Sequence, residues 1–272
     1  MIKRLLMYDY FKTIKSLSTW ILLFAVVAFT LLSSSLTFLS KSDVNNIQQS
    51  EIIQELSQTS TALDIGSMSV VDWCVDSISG DFLLMFIMVF AVILVTSDYS
   101  SEYIKNIYGS IKNKYSYVLS KVVVASSFAL FCIIISYITN IIFNKIVVHS
   151  SSFGDINNLL YYSFAKLLLS IAFSCLVIFI SIIFRKGLSA LVVAGGYTFF
   201  LVSPLYTAIN RGVQSIFDKA SFSIGKYTVI GNILELNTKI DSEQWKIISI
   251  IVIVSISFTI LISGYIFSER DL

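Results

Sequence analysis

Few residues in this chain have the types and spacing that chemistry requires. His149 is the only histidine and sits beside Ser150, Ser151 and Ser152, so histidine-based triad and metal chemistry is nearly excluded. Cys74, Cys132 and Cys175 form no CxxC or Cys/His metal spacing and imply no disulfide framework. Cys132 and Cys175 fall in apolar runs, whereas Cys74 stands in a polar segment. A phosphate-cradling loop needs G-x-x-x-x-G-K-[ST]. Gly225-Lys226 is followed by Tyr227, which breaks that pattern, so no catalytic residue, metal site or nucleotide site is expected in the chain. What remains is a charged, tyrosine-rich stretch from Asp98 to Lys121, and a lone lysine, Lys166, inside an apolar run.

The elements that must position these groups are membrane helices. Of 272 residues, 56% are hydrophobic, 13% are charged and one is proline, with a mean hydropathy of +0.83. A soluble domain carries about twice that charge. The expected fold class is an all-α membrane protein, a single transmembrane domain over residues 1–272. A helix crosses a bilayer with about 20 apolar residues. Six spans are predicted: 20–39, 70–96, 122–143, 159–184, 188–206 and 247–267. The second is short at its charge-free core, so it should start upstream near Val70, Val71, Trp73 and Ile78, with Asp81 inside it. The first run is long enough to span and follows 19 amphipathic, charged residues, unlike a cleavable signal.

Lysine and arginine placement orients the spans. With both termini inside, the inner side holds Lys3, Arg4, Lys12, Lys15, Lys105, Lys112, Lys114, Lys121, Arg185, Lys186 and Arg270 against five acids. The outer side holds seven cations against twelve acids. Such a bias follows the positive-inside rule. It predicts a multi-pass protein with both termini and residues 97–121 in the cytoplasm. Residues 41–69 form an acidic outer segment in which Ile52, Ile53 and Leu56 suggest short amphipathic helices. Residues 207–246, half apolar and mixed in charge, suit interfacial or re-entrant helices. Trp245 and Tyr206 sit where an interfacial aromatic belt would be.

At the start, Ile2, Leu5, Leu6, Tyr10 and Ile14 gather on one helical face with Lys3, Arg4, Lys12 and Lys15 around them. This reads as an interfacial helix over 1–19 on anionic membrane lipid. The end, "GYIFSERDL", leaves no room for a cytoplasmic domain. Within 97–121, a helix would put Asp98, Lys105 and Lys112 near one face and Lys114 and Lys121 on another. Tyr99, Tyr103, Ile107, Ile111 and Tyr115 would form an apolar stripe. Gly109 and Lys112-Asn113-Lys114 are natural places for a break. A mere turn between spans has no need of such a stripe, which must be buried against the membrane or a partner.

The spacing Asp98, Lys105-Asn106, Lys114, Lys121 resembles the intracellular segment of type-2 ABC exporter permeases, including those of peptide export and lantibiotic immunity. The amphipathic start, the six-span layout, the long polar segment after the first span and the ending "FSERD" are similar to that family too. Where the family commonly has Gly-Thr before the Lys-Asn, this chain has Glu102 and Tyr103. The resemblance implies a coupling helix between spans two and three that fits a cleft on a cytoplasmic ABC ATPase. It implies two permease subunits, identical or related, with the transport path between them, and ATP and magnesium bound by the partner ATPase. Asp98, Glu102, Tyr103, Lys105, Asn106, Ile107, Lys112, Lys114 and Lys121 are then the ATPase-coupling residues, with Lys105 and Asn106 bordering the ATPase contact and Asp98 and Lys114 helping to hold the segment's shape. The implied site is a bacterial plasma membrane. The implied cargo is an amphipathic or antimicrobial peptide, with lipids and drugs as alternatives, and no nucleic acid.

Several residues carry local expectations. Lys166 either snorkels to the outer surface or meets an anionic group in the path, or Asp81. Asn140 and Asn144 are interhelical hydrogen-bonding groups that could also line the path. Gly195-Gly196 permit close packing or a flexible point, and Pro204 ends or bends the fifth span. Two other functions compete with export: an ATP-independent membrane receptor or immunity protein, and an intramembrane enzyme, which the lack of converging catalytic groups disfavours.

Overall fold

A computed structural model describes residues 2–48, 69–78, 82–100, 114–149, 152–217, 224–236 and 240–269. Among the described residues the chain is almost wholly helical and has no strand. Helix α1 (Ile2–Lys15) is followed at Ser16 by an elbow and then by α2 (Leu17–Gln48). The elbow is held by backbone bonds around Ser16 and by the Trp20 indole N–H, which donates to the Ile14 carbonyl at 2.9 Å.

The next span is not one helix from Val70 onward. A short α3 (Val70–Ile78) precedes α4 (Phe82–Ser100), and Asp81 lies outside the described residues. α3 is a separate helix because both its ends are held by other groups. Ser69 caps the start of α3: the Asp72 amide donates to Ser69 Oγ at 3.1 Å and that hydroxyl donates to Asp72 Oδ2. The amides of Val70 and Val71 donate to the carbonyls of Ser152 and Phe153. Gly154 makes this approach possible, with φ +87° and a Cβ that would sit 2.6 Å from Ser69 Oγ. At the far end, Ser33 Oγ donates to the Ser77 carbonyl and Lys166 Nζ to the Ile78 carbonyl. Cys74, placed by its polar neighbours in a solvated segment, is buried in α3, as are Cys132 and Cys175 elsewhere.

Helix α5 (Tyr115–Phe143) runs into a π turn (Asn144–Val148) that His149 closes in the left-handed conformation. α6 (Ile156–Phe184) starts at Asp155, whose side chain accepts from the Asn157 amide. α6 is the hub and packs against α3, α4, α5 and the C-terminal helix, α10 (Ser242–Glu269). Its buried face mixes small residues (Ala165, Ser170, Ala172, Ser174) with Leu169 and Phe173. In lipid, apolar surface alone gives little reason for helices to associate, so close approach over small residues matters. Between α4 and α5, Phe90 and Phe128 stack at 3.8 Å between ring centroids. On the outside, Phe24, Leu31 and Leu36 of α2 and Ile250 and Leu261 of α10 are exposed, as lipid-facing residues should be.

Among the described residues, five helical segments are long and apolar enough to cross a membrane: Leu17–Ser40, Phe82–Ser100, Tyr115–Val148, Ile156–Phe184 and Ser242–Phe267. They make this a multi-pass membrane protein by length and composition. The region expected as the fifth span is more complex. α7 (Gly187–Gly195) passes into a π turn (Gly196–Leu201) and then α8 (Val202–Phe217), with an apolar stretch over Gly187–Thr198. Pro204 does not end the helix. The helical run continues past it to Phe217. Nor do both glycines serve close packing: a Cβ on Gly195 would make ordinary contact with Met88, and one on Gly196 would meet nothing within 4 Å. The pair marks the change from α to π winding.

The segment expected between the last two spans is therefore partly helix. α8 continues to Phe217, and a short 3₁₀ turn (Ile224–Tyr227) leads to α9 (Val229–Leu234). Thr228 caps α9 by accepting from the Gly231 amide at 3.2 Å and also bonds the Tyr206 hydroxyl. Val229, Ile230 and Ile233 are buried where α9 meets α6 and α10. Trp245 packs on Tyr161 and Phe164 at that same end of the bundle. Ile52, Ile53 and Leu56 lie outside the described residues.

Candidate functional site

At the opposite end of the bundle, charges meet in the interior. Asp9 on α1 falls on the helix face that also carries Leu5, and both are buried. Lys12, one turn further, reaches sideways. On α5, Tyr117, Ser120 and Lys121 share a face by their spacing of three and four residues. Ser97 and Asp98 end α4. These three faces converge.

The result is an alternating chain of charge: Asp9, Lys121, Asp98, Lys12. Lys121 Nζ lies 2.7 Å from Asp9 Oδ1 and 2.5 Å from Asp98 Oδ2, and Lys12 Nζ lies 2.6 Å from Asp98 Oδ1. The side chains of Asp9, Lys121 and Asp98 are fully buried, and only Lys12 is partly exposed, at 28%. Polar neighbours occupy further positions around the charges. Ser120 Oγ donates to Asp9 Oδ2 at 2.7 Å, the Tyr117 hydroxyl to Asp98 Oδ2 at 3.1 Å, and Lys12 to Ser97 Oγ at 2.9 Å. Lys121 Nζ also stands 5.1 Å from the centre of the Tyr117 ring.

Two carboxylates and two ammonium groups cancel, which is the condition under which buried charges are tolerated. Opposite charges in hydrogen-bonding contact are strongly directional. This arrangement fixes α1 against the last turn of α4 and the second turn of α5 together. A further layer adds the C-terminal helix: the Tyr117 ring stacks on Phe267 at 4.7 Å. Gly264 allows the Tyr115 ring to lie on α10, since a Cβ there would be 2.2 Å from that ring. Nearby, the Arg185 guanidinium caps Tyr99 at 5.8 Å from the ring centre.

Of the residues expected in the central segment, the structure brings Asp98 and Lys121 together, but not on a free connector. They belong to α4 and α5, whose ends extend into the expected segment, so no single helix runs from Asp98 to Lys121. α5 begins directly after Lys114, in keeping with a break at Lys112-Asn113-Lys114. Tyr99 and Tyr115 accordingly sit on different helices. Glu102, Tyr103, Lys105, Asn106, Ile107 and Lys112 lie outside the described residues.

On α1, Lys3, Arg4 and Lys15 are exposed, and Lys15 lies over the Phe11 ring at 4.3 Å. Lys12 departs from the expected lipid-facing role and turns inward to Asp98. Leu5 is buried and Leu6 and Tyr10 pack on the core, but Ile14 is exposed. Asp9, Ser97, Tyr117 and Ser120 were absent from the sequence-based site. The signal for Asp9 was present: an acid four residues after Leu5 on an inward face needs a cation from another helix.

Lys166 does not snorkel to the surface. It is 2% exposed and its ammonium donates to the Ile78 carbonyl and, at 3.4 Å, to the Tyr162 hydroxyl. There it offsets the negative end of α3. Asn140 is an interhelical link: its Oδ1 accepts from Ser34 Oγ of α2 at 2.6 Å and its Nδ2 donates to the Ser136 carbonyl. Asn144 is buried at the start of the π turn. Within this chain, Lys166 and Asn140 each link two helices. No family model matches the chain, and no curated protein matches it.

Proposed function

We propose that this chain is the membrane permease subunit of an ATP-driven exporter of the type-2 ABC kind, worked by a separate cytoplasmic ATPase. The buried charge chain Asp9–Lys121–Asp98–Lys12 is the observation that carries this reading. It joins α1 to both borders of the cationic segment at residues 101–113. Any force applied to that segment by a partner reaches α1, α4 and α5 as one body, and through Tyr117 and Phe267 it reaches α10. Positive-inside bias supports a cytoplasmic side for this end of the bundle and both termini, and the resemblance supports a bacterial plasma membrane. The helical run from Gly187 to Phe217 serves as the fifth of six spans, α1 as the interfacial helix, and α9 as an outer re-entrant or interfacial element.

In this scheme two permeases, each with an ATPase carrying ATP and magnesium, enclose the path between them. ATP-driven closure of the ATPases shifts the pair between two states. The cargo class that best fits the acidic outer side is a cationic amphipathic peptide.

Affinity purification of the full chain in mild detergent tests the proposal. A co-purifying protein with a Walker A motif and an ABC signature is the expected result, with recovery reduced by Lys105→Glu. Recovery of no such ATPase from the native host would overturn the reading.

A further inference from the structure

Between α1, α2 and α5 lies a cavity of about 470 Å³, walled by Tyr10, Ile14, Trp20, Leu23, Phe128 and Phe131. Thr13, Thr19 and Ser127 also border it, yet two of these hydroxyls are already engaged with backbone. Thr13 Oγ1 donates to the Asp9 carbonyl at 2.7 Å, and Ser127 Oγ donates to the Val123 carbonyl at 3.0 Å and bonds the Tyr10 hydroxyl. The Trp20 N–H is turned to the Ile14 carbonyl. The walls thus offer a guest mainly hydrocarbon and aromatic surface. A pocket of this size accommodates a substantial ligand and is too apolar to be filled by ordered water.

We propose that this groove holds one acyl chain of an anionic glycerophospholipid from the leaflet on the α1 side. The charges around its elbow end select the head group. Lys15 directly follows the wall residue Ile14 and is exposed, and Lys3 and Arg4 are exposed along the same helix. Lys12, the other α1 cation, is committed to Asp98. Leaving bulk lipid for the groove gives an acyl chain little hydrophobic gain, because both surroundings are apolar. Residence therefore depends on close packing against the aromatic walls and on attraction between a phosphate-bearing anionic head group and exposed lysine. The groove lies between the α1–α2 elbow and α5, so the lipid acts as a third element of the joint that Asp9 and Lys121 close about one turn away along the same two helices. This inference needs only membrane embedding and stands apart from the export reading.

The test is native mass spectrometry of the full chain, as purified, from nanodiscs of equal phosphatidylglycerol and phosphatidylcholine. One phosphatidylglycerol retained per chain is expected. Leu23→Trp, which fills the groove, should lower retention about tenfold. Lys15→Glu changes an exposed residue without touching the core and should remove the preference for phosphatidylglycerol. Retention of neither lipid by the unmodified chain, equal retention of both, unchanged retention in Leu23→Trp, or an unchanged preference in Lys15→Glu would each overturn the proposal. Should Leu23→Trp fail to fold, the Lys15→Glu arm decides alone.

Discussion

Lys121 Nζ and Asp9 Oδ1, separated by 112 positions in sequence, meet at 2.7 Å in full burial. Neither residue has a reason to be inside without the other. Removing one half of a buried pair leaves an uncompensated charge and costs about 3–5 kcal/mol, whereas removing both can be nearly neutral. Lys121→Met should therefore strongly lower the melting temperature in detergent. The double change of Asp9→Asn and Lys121→Met, which leaves the Asp98–Lys12 pair in place, should recover much of that loss. Additive losses across the series would show that the charges do not act as a unit.

Lys166 and the α3 carboxyl end make a second, separable prediction. Lys166→Met leaves the Ile78 carbonyl without its cationic donor, a cost of about 1–3 kcal/mol for a buried acceptor. The loss should be local, because α3 is a separate element of only nine residues. Cys74, buried in the middle of α3, reports on it: its thiol should react with a maleimide much faster in Lys166→Met, while Cys132 and Cys175 stay protected. Cys74 labelling at the unmodified rate would count against this capping role.

Gly264→Leu forces a side chain into the Tyr115 ring and should cost about 1–3 kcal/mol by overpacking. Tyr115→Ala removes the obstacle, so the double variant should be more stable than Gly264→Leu alone. A cycle of melting curves measures the coupling, and its absence would show that α10 does not bear on α5 here.

The Ser34–Asn140 hydrogen bond gives a deliberately small contrast. Interhelical hydrogen bonds in membranes contribute about 0.6 kcal/mol on average, since the alternatives also find partners. Ser34→Ala should shift the melting temperature far less than Lys121→Met.

The apolar runs made the long helices legible, and charge placement separated the two ends of the bundle. The run from Phe82 to Thr96 showed that a helix was there, but not that α3 was distinct from it. The start of α3 is held by Ser152 and Phe153 and its far end by Lys166, partners from far along the chain. Ser69 and Asp72 were the local sign of a new helix start. Asp98 and Lys121 stood out by spacing, yet their burial could not be read without Asp9, because a charged residue at the end of a span looks solvated until a third helix covers it. The π turns were illegible for a related reason: hydropathy records which residues are apolar, not how many fit in one turn.

The π turn over Gly196–Leu201 also alters what the run from Gly187 to Phe217 can do mechanically. Such a turn accommodates a surplus residue relative to α winding. If the surplus migrates, residues it passes rotate by about 100° and advance by about 1.5 Å, while the helix beyond keeps its place. A surface can thus be exchanged without moving either end, and the open space beside Gly196 leaves room for that exchange to begin.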